Sequence, residues 1–238
     1  MSDRAPAARV SSLNWDAIAD AVDRDGFAHV MRPLLTATEC ASLIRAFDDD
    51  AQYRSTIDMA RHRFGEGCYR YYRYPLPPVV AELREALYPH LATIANQWSD
   101  RLGEASFPAS HSELLEMCAA AGQTKPTPLI LRYGEGGWNA LHQDVYGDLV
   151  FPLQVSIALS RPSDDFDGGE MLFVEQRPRS QSRGHVVVPE RGHAVVFTTR
   201  SRPVMGTRGA YRAAMRHGVS TLTRGDRLTL GIIFHDAR

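Results

Sequence analysis

Apolar positions in the first half of the chain recur at the three- and four-residue spacing of amphipathic helices. This spacing predicts four helices, over residues 14–26, 36–47, 80–98 and 112–121. Thr36-x-x-Glu39 is a capping box, which supports the start of the second helix. Pro89 should kink or split the third, because proline removes a backbone donor and clashes with the preceding turn.

From residue 129 onward, the pattern changes to short apolar or alternating runs separated by Gly, Pro or Asp pairs, which predicts strands. We expect strands over 129–133, 138–142, 151–159, 170–176, 185–188, 194–198, 216–222 and 227–235, after one early strand at 27–31. About eight closely spaced strands fit a jelly roll, in which the inward faces of two sheets line a cavity. The expected fold class is α+β, a double-stranded β-helix (jelly roll) core with helices packed on the N-terminal side.

Length and composition indicate one globular domain, with 238 residues, 44% hydrophobic and 23% charged. We expect a flexible tail over 1–12, a helix-rich part over 13–125 and a jelly-roll core over 126–238 that carries the functional site. No apolar run approaches the ~20 residues of a membrane helix, and the first residues do not resemble a signal peptide. The expectation is therefore a cytoplasmic protein with no membrane partner, and the sequence leaves its oligomeric state open.

The three cysteines, Cys40, Cys68 and Cys118, are an odd and widely spaced set. They fit neither a disulfide framework nor a zinc pattern. We expect them to be reduced, partly buried thiols.

Basic residues are unevenly distributed, although the net charge is −1. Residues 177–227 contain eleven Arg against Glu190 and Asp226, so this segment carries +9 and the rest −10. Such a segment suits an anionic substrate, or it reflects a general preference for Arg, since the 27 basic residues include only one lysine, Lys125. The stretch 53–74 interleaves Arg with Tyr, which suits either a stacking platform for single-stranded nucleic acid or an ordinary amphipathic strand.

The candidate chemistry centres on residues 131–144, LRYGEGGWNALHQD, which predict a strand, a tight turn and a second strand. Because residues two apart on an extended chain share a face, His142 and Asp144 can bind one metal ion together. Two histidines and one carboxylate bind Fe(II) on one face and leave the other positions open. The candidate second histidine is His217, with the following alternatives: His185, His193 and His235.

Arg227 follows His217 by ten residues at the start of an apolar run, where its guanidinium could bind a carboxylate near the metal. Glu170, after two glycines, either begins a strand or provides a further metal ligand. His235-Asp236 is expected to be structural.

The ordered set of motifs resembles the 2-oxoglutarate/Fe(II)-dependent dioxygenases. It consists of Tyr133 nine residues before His142, then His-x-Asp, Gly-Gly-Glu, a Pro-x-x-Gly turn, His217 and Arg227. RYGEGGWNALHQD resembles the corresponding stretch of AlkB-type nucleic-acid repair dioxygenases, and the chain from about residue 15 to 237 is similar to a family of predicted AlkB-like oxygenases of damaged DNA. Leu131 stands where AlkB enzymes usually have Asn, and the ten-residue His–Arg spacing is nearer that of prolyl hydroxylases.

The resemblance implies that His142, Asp144 and His217 bind Fe(II), with no catalytic residue beyond these ligands. It also implies that Arg227 binds the distal carboxylate of 2-oxoglutarate and that Tyr133 donates a hydrogen bond to it. Oxidation of 2-oxoglutarate by O2 to succinate and CO2 would then drive oxidation of a substrate C–H bond.

Three hypotheses follow for the function. The first is oxidative demethylation of alkylated nucleic acid, and the second is hydroxylation of a protein side chain or small molecule with the same cofactors. The third is a jelly-roll module that binds or senses metal or 2-oxoglutarate without turnover. The complete ligand set together with Arg227 argues against the third, because a retired site has no reason to keep all four residues.

Overall fold

The computed structural model describes residues 4–144, 147–207 and 209–238. The helices lie in the first half of the chain: α1 (Pro6–Ser11), α2 (Trp15–Asp25), α3 (Ala37–Arg45), α4 (Met59–His62), α5 (Pro78–Leu102) and α6 (His111–Ala120). The strands are β1 (Phe27–Val30), β2 (Tyr53–Asp58), β3 (Gly65–Glu66), β4 (Cys68–Tyr72), β5 (Leu129–Tyr133), β6 (Trp138–His142), β7 (Leu153–Ala158), β8 (Phe166–Gly168), β9 (Met171–Gln176), β10 (Arg183–Val187), β11 (Ala194–Thr198), β12 (Ser201–Gly206), β13 (Gly209–Val219), β14 (Leu222–Gly225) and β15 (Arg227–Ile233).

Two antiparallel sheets form the jelly roll. The larger sheet has the strand order β1-β11-β7-β15-β5-β4-β2, and the smaller has the order β10-β9-β13-β6-β3, with β12 paired to β13. Residues of both sheets line one cavity of about 290 Å³. The α+β jelly-roll fold expected from the sequence is therefore confirmed.

The helices cover the larger sheet. A single core cluster joins buried side chains of α1, α2, α3, α5 and α6 to those of β5, β7, β11 and β15. Local signals set several helix ends as predicted: Asn14 caps α2, Gly26 ends it in a left-handed conformation, and Thr36 with Glu39 forms the capping box of α3. None of the described helices combines the length and apolarity that a membrane crossing requires.

Two expectations for the N-terminal half differ from the structure. Residues 1–3 of the expected flexible tail lie outside the described part of the chain, but Pro6–Ser11 forms a helix, because Val10 is buried and Arg9 forms an ion pair with Glu39. The long helix is not split at Pro89, since buried residues on both sides, such as Leu87 and Leu91, keep it packed on the core.

The expected division at residue 125 is not a division between sheets. Strands β1, β2 and β4 precede it in sequence and belong to the same seven-stranded sheet as β5, β7, β11 and β15. The stretch 53–74 thus contributes two sheet strands, as one of its two interpretations proposed. Strand β12 was not predicted; it forms a hairpin with β13.

A buried ion pair joins α5 to the C-terminal end of the chain. The guanidinium of Arg84 lies 2.8 Å from Asp236, with only 1% and 6% of the two side chains exposed, and it also donates to the carbonyl oxygens of Ile233 and Phe234. His235, beside it, accepts a hydrogen bond from the backbone of Phe151. The pair His235-Asp236 is therefore structural, as expected.

We predict that Asp236→Ala lowers the free energy of unfolding by about 3–5 kcal/mol, because it leaves Arg84 charged, buried and unpaired. Asp148→Ala is the matched control, since Asp148 pairs with the C-terminal Arg238 through side chains that are 70% and 62% exposed. Its loss should cost no more than about 1 kcal/mol. Urea unfolding of both variants measures the difference, and equal losses would contradict the assignment.

Candidate metal centre

Three predicted ligands meet where β6 and β13 pair. His142 ends β6, Asp144 follows two residues later, and His217 lies directly opposite His142 in the antiparallel register. Asp144 lies 3.6 Å from Nε2 of His142 through Oδ1 and 3.1 Å from Nε2 of His217 through Oδ2. One ligand atom from each residue lies within 4.8 Å of the others, so the three could hold a metal ion.

The pairing of these two strands depends on a glycine. The register shifts between His217 and Val219, and a Cβ atom on Gly218 would lie 2.7 Å from the carbonyl oxygen of Asn139. Only a residue without a side chain allows this close approach. The irregularity therefore lets His217 and His142 face the same cavity.

Hydrogen bonding sets the tautomer of His142. Its Nδ1 lies 2.7 Å from the carbonyl oxygen of Ala140, which can only accept, so Nδ1 carries the proton and Nε2 keeps a lone pair. Burial, with a smaller contribution from His217, lowers the pKa of His142 and favours the neutral ring that metal binding needs. The ring of His217 is held by packing, 4.3 Å from His142 and 4.8 Å from Phe197 between centroids.

Asp144 is a carboxylate in this environment. Burial opposes its ionisation, but the imidazole of His217 and the hydrogen bonds from His217 and Gln154 outweigh burial and lower the pKa of Asp144 well below its usual value. Its backbone N–H donates to the carbonyl of Thr199 at 3.0 Å, which fixes the chain just after β6. The site thus contains one anionic ligand and two imidazoles.

Gln154 was not predicted as a site residue. It lies on β7 of the other sheet, is buried, and donates from Nε2 to Oδ2 of Asp144 at 2.8 Å. A hydrogen bond of this kind orients a ligating carboxylate. The sequence gives no local signal for it, because the contact joins two sheets.

Arg227 and Tyr133 are direct neighbours across β15 and β5. The guanidinium is buried and lies 5.7 Å from the Tyr133 ring and 5.9 Å from the Phe166 ring. Within the described ranges, no carboxylate lies within 4.0 Å of it. A Cβ atom on Gly169 would lie 3.0 Å from Cδ of Arg227, so this glycine leaves room for the side chain.

This arrangement suits an anionic ligand. Burial lowers the pKa of Arg227, yet arginine remains charged in proteins, so a buried and unpaired guanidinium is costly unless an anion joins it. Burial also raises the pKa of Tyr133, whose hydroxyl accepts a hydrogen bond from Asn139 at 3.1 Å and keeps a proton to donate. Arg227, Tyr133 and the His–Asp–His group line the same cavity.

The alternative ligands lie elsewhere. His185 packs against Phe27, and His193 lies near His29, with 6.2 Å between ring centroids. Glu170 accepts a hydrogen bond from the Ser220 hydroxyl at the start of β9, in its expected structural role. The three cysteines are free thiols, as expected.

The Arg-rich segment 177–227 does not form one free basic face. Several of its arginines pair with acids: Arg177 and Arg202 with Glu175, Arg212 with Glu104, and Arg224 with Asp167. Arg208 lies outside the described residues. Part of the charge therefore stabilises the fold.

Comparison with known proteins followed from this geometry. A family model, Oxygenase-NA, described as "Oxygenase, catalysing oxidative methylation of damaged DNA", matches residues 67–237. The Mycobacterium tuberculosis protein "Uncharacterized protein Rv2227" is 55% identical over 164 residues, which are 68% of this chain and 70% of that protein.

Solved structures share the fold. A Pseudomonas putida prolyl-4-hydroxylase has a TM-score of 0.56 at 18% identity, covering 94% of this chain and 99% of that one. An oxidoreductase of the 2OG-Fe(II) oxygenase family from Burkholderia pseudomallei has a TM-score of 0.51 at 20% identity, covering 95% and 94%.

We predict that Gln154→Leu weakens metal binding about 10- to 100-fold, because Asp144 loses the donor that orients it. Anaerobic Fe(II) titration of the purified variant measures the effect. Gln97→Leu, at an exposed position of α5, is the matched control and should bind the metal as the wild type does. Unchanged affinity in Gln154→Leu would contradict the orienting role.

Proposed function

Because this chain belongs to the Oxygenase-NA family of oxygenases, we propose that it oxidises a substrate C–H bond using Fe(II), 2-oxoglutarate and O2. One observation carries the proposal: a His–Asp–His group and a buried arginine without a carboxylate partner among the described residues line the same cavity. The two features fit the two halves of the cofactor set. Two imidazoles with a carboxylate suit Fe(II), and a guanidinium suits a dicarboxylate cosubstrate.

The residues of this chain would hold and orient these groups. His142, Asp144 and His217 would bind iron on one face, and Gln154 would keep the Asp144 carboxylate in place. Arg227 would bind the distal carboxylate of 2-oxoglutarate, and the Tyr133 hydroxyl would donate a second hydrogen bond to it. When bound, iron and 2-oxoglutarate supply the oxidising chemistry, with release of succinate and CO2.

We infer that the substrate is alkylated nucleic acid. The description of the matched family supports this substrate class. The cavity walls also carry Tyr69 and Tyr71, two rings in edge-to-face contact with centroids 5.5 Å apart, and aromatic rings are suitable partners for an unstacked base. Oxidation of an N-methyl carbon would give an unstable product that releases formaldehyde and the demethylated base.

A second substrate class has specific support. The fold is shared with a prolyl-4-hydroxylase, and the ten-residue spacing from His217 to Arg227 is nearer the prolyl-hydroxylase spacing. Hydroxylation of a protein side chain therefore uses the same proposed centre with a different substrate. Its product would be a stable alcohol, and no formaldehyde would be released.

We predict that the anaerobic protein with Fe(II) and 2-oxoglutarate shows a weak visible charge-transfer band near about 500 nm. His142→Ala should abolish the band, because it removes one ligand. His90→Ala is the control, since His90 stacks on Trp15 with ring centroids 4.4 Å apart, outside the cavity lining. A band that persists unchanged in His142→Ala would contradict the ligand assignment.

We predict that Arg227→Ala weakens 2-oxoglutarate binding by about 3–5 kcal/mol, because the carboxylate loses its buried partner. Tyr133→Phe should cost on the order of 1 kcal/mol, for one hydrogen bond. Titration of 2-oxoglutarate against the visible band measures both. Arg224→Ala, an exposed arginine paired with Asp167, is the control, and an equal loss in that variant would refute a specific role for Arg227.

The substrate class is tested by product release. The wild-type protein with Fe(II), 2-oxoglutarate and O2 should release succinate and formaldehyde when given an N-methylated single-stranded oligonucleotide. An unmethylated oligonucleotide is the matched control. Succinate release that responds only to a proline-containing peptide, without formaldehyde, would support the second substrate class instead.

A further inference from the structure

A short loop over residues 58–67, here called the rim loop, lies between β2 and β4 at the edge of the cavity. It is anchored at three points: Met59 is buried, its N–H donates to the carbonyl of Gly67 at 3.0 Å, and the Phe64 carbonyl accepts from Ala140 of β6 at 2.8 Å. A Cβ atom on Gly65 would lie 2.2 Å from the Trp138 carbonyl oxygen, so the loop lies directly against β6. The loop is thus fixed to the strand that carries His142.

The tip of this loop, residues 60–64, is exposed. Phe64 is 47% exposed and yet lines the cavity, so its ring lies at the cavity mouth. His62 stacks on it, with ring centroids 5.4 Å apart and planes 20° from parallel. A single exposed apolar residue is ordinary on a protein surface, but a stacked aromatic at the entrance to a metal centre offers a flat face to an incoming ligand.

The same tip carries two arginines. Arg61 lies 3.3 Å from Asp58, and both side chains are largely exposed, so this ion pair holds the guanidinium only weakly. In the part of the chain that the structure describes, no carboxylate lies within 4.0 Å of Arg63. The tip therefore presents positive charge on both sides of the aromatic pair.

The opposite wall of the cavity repeats this combination. Tyr69 and Tyr71 line it, and the guanidinium of Arg54 lies 4.5 Å from the centroid of the Tyr71 ring. Aromatic faces interleaved with arginines suit a ligand that alternates flat rings with anionic groups. A peptide offers rings for stacking but no regularly spaced anions.

We propose that the rim loop binds single-stranded nucleic acid beside the cavity, with Phe64 stacked on a base and Arg61 and Arg63 on the flanking phosphates. This inference rests on the proposed function and assigns to Phe64 a role in substrate selection. Stacking by Phe64 keeps the neighbouring base outside the cavity while the target base enters it. His62 backs the Phe64 ring and holds its orientation.

Fluorescence anisotropy tests the proposal with a labelled single-stranded oligonucleotide of about 12 nucleotides carrying one N-methylated base. The full chain is used anaerobically with Fe(II) and 2-oxoglutarate. Phe64→Ala should weaken binding at least about fivefold, and Phe64→Tyr, which keeps the ring, should restore it. Arg61→Ala with Arg63→Ala should lower the slope of log affinity against log salt by about 1.4, at about 0.7 per phosphate.

Met31 and Arg32 provide the matched controls. They form an exposed apolar–arginine pair after β1, at the sheet edge opposite β2, and neither lines the cavity. Met31→Ala and Arg32→Ala should leave both the affinity and the salt slope unchanged. The arginine variants alter only exposed side chains, so they keep the test decisive if Phe64→Ala fails to fold.

The outcomes separate the rim loop from the proposed function. If the wild type releases formaldehyde from the methylated oligonucleotide and all rim-loop variants bind it as the wild type does, the rim-loop role is wrong and the proposed function stands. Wild-type binding of a proline-containing peptide, with no binding of the oligonucleotide, would overturn the rim-loop role and the nucleic-acid substrate together. The iron and 2-oxoglutarate assignments would then still be judged by the visible band.

Discussion

The register between β6 and β13 is the constraint on which the candidate centre depends. It sets His217 opposite His142, although the two are far apart in sequence, and brings their rings to 4.3 Å. A slip of one residue would turn one imidazole to the other face of the sheet. Asp144 follows β6 directly, and Gln154 reaches it from the larger sheet. The metal site therefore requires the correct pairing of strands and the correct packing of the two sheets.

The larger sheet places Arg227 and Tyr133 by the same means, as cross-strand neighbours. A guanidinium buried beside two aromatic rings, with no carboxylate partner in the described ranges, is a poor choice for stability alone. Gly169 leaves room for it, and Tyr133 keeps a donor directed at the same cavity. Local departures of this kind from the best packing are typical of binding sites. Anion binding would offset the cost of burying Arg227.

Features with local causes were predictable from the sequence. The caps at Asn14 and Thr36, the bounds of β5, β6 and β11, and the convergence of the His–Asp–His group all follow from short-range patterns and strand geometry. Features that depend on distant partners were missed. Helix α1 is held by an ion pair to α3, β12 exists through its hairpin with β13, and Gln154 acts across two sheets. No periodic signal in the sequence reports such contacts.

The central claim is that three side chains from two strands bind one iron ion. Anomalous diffraction at the iron edge, from crystals grown anaerobically with Fe(II), tests it most directly. The account predicts one iron peak at about 2.0–2.2 Å from Nε2 of His142, Nε2 of His217 and a carboxylate oxygen of Asp144, distances typical of such ligands on first-row metals. An iron peak bound by other residues, or one that His217 does not contact, would contradict it.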